Sequence, residues 1–405
     1  MQQHNRWIKI GLINFGIVAL IGCIMRYKIG FDFPFLDQKR LLHSHSHYAF
    51  VAWVSHMLYT ILTEFAVQKN SQKYPIYSKL IWGNLICAGG MVVGFMTQSY
   101  GPISITFSVL AILISYVFSY NYWNDLTNHH PNHISTPWFK AALFFNCLSS
   151  IGSFILAWMM STKHFDQNLY LASTYFYLHF QYSGWFFFGI MGILMNLFQQ
   201  QFPSFKADPG VLRLFLYSCI PAYLLSVLWA HLPWYIYIIA VIAVVLQLLG
   251  LMKLIQRFSK LLPEIKQKWN LISKLIFTAS FVALTIKLCL QAGSIFPDIS
   301  KLAFGFRSIV IAYLHLVLLA FVSLFIVAYL YNQNKIPDTK VSRLGIVALA
   351  IGVFLNEFVL MIQGVSSFSY TIIPFLNEIL FGVSLLIFIS VCFIIISSHR
   401  NQLQN

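Results

Sequence analysis

An all-α polytopic membrane protein, with about twelve transmembrane helices in three pseudo-repeated four-helix units, is the fold class this sequence predicts. Three observations predict it. The 405 residues are 59% hydrophobic and only 9% charged, with a mean hydropathy of +0.72, well outside the range of a soluble domain. Apolar stretches long enough to cross a bilayer as helices of roughly 20 residues recur from end to end. One short pattern also occurs three times, as HYAFVAW from His47, HFQYSGW from His179 and HLVLLAF from His315. The copies stand 132 and 136 residues apart, the mark of one structural unit used three times. No stretch alternates with period two, which argues against a transmembrane β-barrel.

The first span, near 8–26, is an apolar run behind Arg6 and Lys9. It is too long for a signal-peptide core and lacks a small-residue cleavage site. In the 27–45 connection, Pro34 and Asp37 of FDFPFLDQKRLL punctuate the entry into the second span, 46–67. Lys69, Lys73 and Lys79 follow it; the third and fourth spans lie near 77–98 and 103–122. The polar stretch NDLTNHHPNHISTP, 123–137, reads as a surface loop carrying His129, His130 and His133. Spans near 138–160, 168–198, 211–229 and 233–255 precede a basic connection, 256–270. Lys253, Arg257, Lys260, Lys266, Lys268 and Lys274 surround that connection. The last four spans lie near 271–291, 305–331, 342–363 and 375–397, with Lys335, Lys340 and Arg343 after the tenth and Arg400 after the twelfth. The approximate repeats are 1–135, 136–268 and 269–405.

The positive-inside rule places these basic connections and both termini in the cytoplasm, against the exception of Arg26, Lys28, Lys39 and Arg40 around the first external loop. The net charge of +15 therefore reads as topology and contact with membrane lipids, not as affinity for nucleic acid. Cys23, Cys87, Cys147, Cys219, Cys289 and Cys392 fall in separate apolar segments without a CxxC pair, and read as packing residues.

Histidine within a membrane is costly, so three at one place in three repeats carry most of the functional signal. His47, His179 and His315 lie on the second, sixth and tenth spans. His179 and His315 are about ten residues into their spans, and all three are read at a similar depth on helices running inward, roughly 15 Å from the external end. Two positions earlier stand His45, Tyr177 and Tyr313. In LLHSHSHYAF, His43 and His47 share a helical face while His45 points away. Neutral imidazole is a good ligand for haem iron and for copper. Two on facing helices clamp one haem, whereas a substrate-activating centre needs an open iron position and further imidazoles. His56 reads as a hydrogen-bonded core residue, and His164 and His231 as interfacial. The remaining ionisable groups inside spans are Glu64, Lys287, Arg307, Glu357 and Glu378. Arg307 precedes His315 by about 12 Å along a helix, placed either to neutralise a haem propionate or to anchor the membrane edge. Glu357 and Glu378 read as proton relays or, with Asn356 and Asn377 before them, as helix–helix hydrogen-bonding groups.

RLLHSHSHYAFVAW from Arg40, YLHFQYSGWFFFGIMG from Tyr177 and IAYLHLVLLAF from Ile311 together resemble subunit I of the haem–copper oxidases, the superfamily of terminal oxidases and nitric oxide reductases. The resemblance covers the full length in topology, through short motifs. It implies a low-spin haem b held by His315 and a histidine of the second span. Family register favours His43 there, and the internal repeat favours His47. His179 matches a copper-ligating histidine. The departures are specific: the seventh span lacks the family's adjacent histidine pair before His231, and Tyr313 stands where the active-site haem ligand is expected.

The expectation is a bacterial inner-membrane protein with haem b, and copper as a further candidate metal. It would act in electron transfer, or on nitric oxide, dioxygen or another small diatomic ligand. An electron-donor protein or quinol is the implied partner. His43, His47, His315 and Arg307 are the haem-binding candidates; His43, His45, His47, His179 and His315 are the metal-ligand candidates. Tyr313 and Tyr177 are candidates for a catalytic phenol, although packing explains both. The alternative is a transporter of metal ions or small solutes that uses its intramembrane histidines. A third reading is a structural subunit whose histidines only form hydrogen bonds.

Overall fold

The computed structural model describes residues 2–31, 33–230, 232–296, 298–300, 305–368 and 370–400, and every regular element among them is helical. His231 lies outside the described residues. The chain begins with α1 (Gln2–Gly30), α2 (Gln38–Tyr48), the π-helix π1 (Ala49–Ser55), α3 (His56–Val67), α4 (Tyr74–Gln98), α5 (Pro102–His129) and α6 (Thr136–Thr162). It continues with α7 (Gln167–His179), π2 (Phe180–Phe186), α8 (Phe187–Gln201), α9 (Pro209–Cys219), a 3₁₀ segment (Pro221–Val227) and α10 (Trp234–Lys268). The last elements are α11 (Leu271–Gly293), α12 (Arg307–His315), π3 (Leu316–Ser323), α13 (Leu324–Asn332), α14 (Lys340–Phe368) and α15 (Leu376–Arg400).

Ten helical runs among the described residues are long and apolar enough to cross a membrane, and an eleventh is added if α9 and the 3₁₀ segment, bent by 43°, count as one span. This is the build of a multi-pass membrane protein. The sixth expected span is helical over 167–201 but is not among those runs. Its polar residues explain the difference. From His179 to Phe198 every residue is buried, so protein rather than lipid surrounds this stretch and it need not be apolar throughout.

Hydropathy marks the length immersed in a membrane, not where a helix ends, and three boundaries move for that reason. The second helix starts at Gln38 instead of 46, because the Asp37 carboxylate caps it by accepting from the Arg40 N–H at 2.8 Å. The stretch expected as a loop from 123 remains helical to His129. His130 there is only 4% exposed and Asp125 2%, and Thr136 Oγ1 donates to the His130 carbonyl at 2.6 Å. The expected 256–270 connection is likewise helical through Lys268, with Lys266 and Lys268 in the last turn, where cations complement the helix dipole.

Packing groups the chain into two compact units: residues 1–118, 270–280 and 314–405 in the first, and 119–269 and 281–313 in the second. In the first unit, Trp53 stacks on Phe15 with centroids 4.4 Å apart, and Phe118 packs against Tyr59 and Tyr77. Glu64 of α3 ties α1 to the turn after α13, its carboxylate lying 2.7 Å from His4 Nε2 and 2.7 Å from Lys335 Nζ. That pairing explains an acid in an apolar segment. In the second unit, Phe145 stacks on Phe180 at 5.8 Å. Ala222, Leu225, Ala240, Ala243 and Val244 form a buried apolar cluster in the same unit.

Candidate functional site

Each of the three repeated histidine patterns opens a π-helix. π1 begins two residues after His47, π2 immediately after His179, and π3 immediately after His315. The segments are 7, 7 and 8 residues long. A π-turn inserts an extra residue into the ladder, and such insertions concentrate at functional sites. The register is shared: six residues after each histidine stand Trp53, Trp185 and Phe321, all buried. One residue before each is a small, buried residue: Ala52, Gly184 or Ala320. At Gly184 a Cβ would come within 2.4 Å of Phe145 Cβ.

Loosening the ladder turns carbonyls outward, and neighbouring side chains meet them. In the first unit, Asn14 Nδ2 donates to the Ala52 carbonyl at 2.7 Å and Asn84 Nδ2 to the Val51 carbonyl at 3.0 Å. Ser280 Oγ donates to the Phe321 carbonyl at 2.8 Å. Trp53 Nε1 donates to Ser323 Oγ at 2.8 Å, joining π1 to the end of π3. In the second unit, Cys219 Sγ reaches the Ser183 carbonyl at 3.6 Å. Gln181 Nε2 donates to Asn146 Oδ1 and Ser149 Oγ at 3.0 and 2.7 Å. These polar groups were not singled out by sequence reasoning; their one signal is an amide or hydroxyl inside an apolar span.

The candidate histidines separate by environment. His43 and His47 face α4 together. The His47 ring stacks on Phe95 at 4.4 Å, the His43 ring meets Tyr100 edge-on at 4.5 Å, and His47 Nε2 lies 3.5 Å from the Tyr100 hydroxyl. His45 faces α1 instead, with Nδ1 3.1 Å from the Val18 carbonyl. His56 is fully buried, Nε2 lying 2.9 Å from the Trp7 carbonyl, as expected of a core histidine. His315 ends α12 half-buried, and Arg307 begins that helix exposed. His43, His47 and His315 all belong to the first unit, and His179 to the second.

His179 is completely buried, with Nε2 2.8 Å from the Cys219 carbonyl. That carbonyl lies where α9 gives way to the 3₁₀ segment at Pro221, whose missing N–H breaks the ladder. Nε2 must carry the proton to donate there, which leaves the buried Nδ1 without a hydrogen-bond partner. Nearby, Lys287 is 4% exposed. Its ammonium donates to Ser183 Oγ at 3.0 Å and lies 5.9 Å from the centre of the Tyr182 ring. The Tyr182 ring meets Tyr313 edge-on at 5.9 Å, and Tyr177 is half-buried. No carboxylate among the described residues pairs with Lys287. Glu357 bonds to its neighbour, accepting from Asn356 Nδ2 at 3.1 Å.

Among the described residues, no three His, Cys, Asp or Glu side chains form a group able to hold a metal ion. A bis-imidazole haem site needs two and is a different arrangement. All six cysteines are free thiols, and Cys23, Cys87 and Cys219 are buried.

Fold and site together define a multi-pass helical membrane protein in which three histidine-led π segments lie in interior helices. No protein-family model and no curated protein matches its sequence.

Proposed function

We propose that this chain is a membrane haem protein related in plan to haem–copper oxidase subunit I, with His315 and a histidine of α2 as axial ligands to one haem b. The observation that carries the reading is the shared register of the three histidines at the mouths of π1, π2 and π3, with the α2 and α12 copies in one compact unit. The local chemistry fits the group. His43 and His47 present imidazoles beside Phe95 and Tyr100, flat aromatic surroundings suited to a porphyrin. His47 matches the π-helix register, so it is the assigned partner of His315. A haem with both axial positions filled supplies one-electron transfer. The reading assigns no copper, because copper sites draw on several imidazole or thiolate donors and, among the described residues, His179 belongs to no group of three such side chains.

The full-length chain, expressed with haem supply and purified in detergent, tests this. A Soret band with one haem b per chain is expected, lost in His315→Ala and His47→Ala and kept in His45→Ala and His179→Ala. Haem-free protein from cells with ample haem contradicts the proposal.

One observation favours the alternative, a transporter of small solutes or metal ions. The second unit combines a broken span, a buried lysine, a buried histidine on the exposed carbonyl at the break, and hydroxyls around them. Interrupted helices with such groups form solute sites in transporters. Metal analysis of haem-free protein, with His179→Ala as control, separates the two readings. Bound metal lost in that variant, without any haem, supports transport.

A further inference from the structure

One face of α10 changes character along its length. Ile238, Ile242, Val245 and Leu249 recur at helical spacing and are all exposed, an apolar stripe suited to lipid. The stripe continues as Lys253, Gln256 and Lys260, with Arg257 beside it. These four residues, with Ser259 and Asp208, line a cleft of about 300 Å³ within the second unit. Hydrocarbon contact therefore gives way to a basic cleft at Lys253, as at the headgroup level of a bilayer.

Asp208 fixes the cleft rather than neutralising it. Its Oδ1 accepts from the Gly210 N–H at 2.8 Å and its Oδ2 from Arg257 Nη2 at 3.1 Å. Gly210 keeps the wall thin, since a Cβ there would come within 3.1 Å of Lys253 Nζ. Three cations thus meet one carboxylate, and neither Lys253 nor Lys260 is in an ion pair among the described residues. Two positive charges are left over, beside a guanidinium already oriented by its own carboxylate.

We propose that this cleft binds the phosphate of an anionic phospholipid headgroup, with the acyl chains lying along the Val245–Leu249 stripe. Surplus positive charge next to a membrane attracts anionic headgroups strongly, and Arg257 presents the planar donors that suit phosphate oxygens. The exposed apolar surface leading into the cleft, with Met252 and Ile255 flanking it, favours a lipid over a free phosphate compound. The inference stands apart from the haem reading and survives its failure.

Native mass spectrometry of the full chain in detergent provides the test, with dioleoylphosphatidylglycerol, dioleoylphosphatidylcholine and inorganic pyrophosphate as probes. Phosphatidylglycerol is expected to bind at least about tenfold more tightly than phosphatidylcholine. The preference should be lost in Lys253→Gln/Lys260→Gln and kept in Lys69→Gln/Lys73→Gln, at about a factor of five per charge. Equal binding of the two lipids, or equal loss in both double variants, overturns the proposal. Pyrophosphate displacing phosphatidylglycerol at matching affinity overturns the lipid assignment in favour of a free phosphate ligand. If the cleft variant fails to fold, salt decides: wild-type preference should fall as ionic strength rises, and a salt-insensitive preference overturns the proposal.

Discussion

Taking a lysine out of water costs free energy that only pairing or function offsets, and Lys287 has hydroxyl and ring partners but, among the described residues, no carboxylate. Lys287→Met keeps the volume and removes the polar burden, so thermal unfolding in detergent should occur at the same temperature or higher. A marked fall would make Lys287 a structural anchor. The opposite sign is expected at Asn14, which is 5% exposed and bridges the Ala52 carbonyl and the Tyr48 hydroxyl. Asn14→Leu strands both groups and should cost about 1–3 kcal/mol, read from the unfolding free energy. At this scale the sequence was legible where one rare residue carried the signal. The His43/His47 face and the opposed His45 followed from helical periodicity alone. The carbonyl-capping amides did not, because an Asn in an apolar span looks the same whether it meets a π segment or a neighbouring helix.

Among elements, the π segments are the feature periodicity could not reveal. A repeated His–aromatic pattern marks the place, but the extra residue in the ladder follows from packing by whole neighbouring helices. Gly184 shows how tight that packing is. Gly184→Val should destabilise the protein by about 1–3 kcal/mol through overpacking against Phe145, measured as a lower unfolding midpoint. Ala52 and Ala320 hold the same register position with a methyl group already present. Helix ends were legible where a polar cap punctuates an apolar run, as at Asp37. They were misread where charged residues continue a helix beyond its apolar stretch, as from Gln256 to Lys268. Asp37→Ala should fray α2 at a cost of about 1 kcal/mol, detected as faster amide exchange at the N-terminal turn of α2 (Gln38–Tyr48) with no change at α10.

For the molecule as a whole, composition sufficed for the class, because a chain 59% hydrophobic and 9% charged has too little polar surface for a soluble fold. The count of spans was less legible. Hydropathy alone does not separate a lipid-facing helix from the protein-enclosed stretch after His179, and Pro221 divides one expected span into a bent pair. Outside the apolar segments, two carboxylates link stability to pH. The Gly210 N–H, then Arg257 and Lys253, hold the Asp208 carboxyl below its ordinary range; Arg343, then Tyr331, do the same for Asp338. A lowered folded value means stability that is complete above about pH 4, the ordinary carboxylate range, and lost as pH falls through the lowered values. The wild-type unfolding midpoint should therefore drop more between about pH 5 and pH 3 than that of Asp208→Asn/Asp338→Asn, and parallel curves would contradict this linkage.

Function turns on whether His315 and a histidine of α2 hold a haem within the first unit. A reduced-minus-oxidised optical spectrum of the purified full chain, with haem quantified per chain, tests that most directly. One low-spin b-type signal that disappears in His315→Ala is the predicted result. A spectrum without haem bands, or haem retained undiminished in His315→Ala, would contradict it.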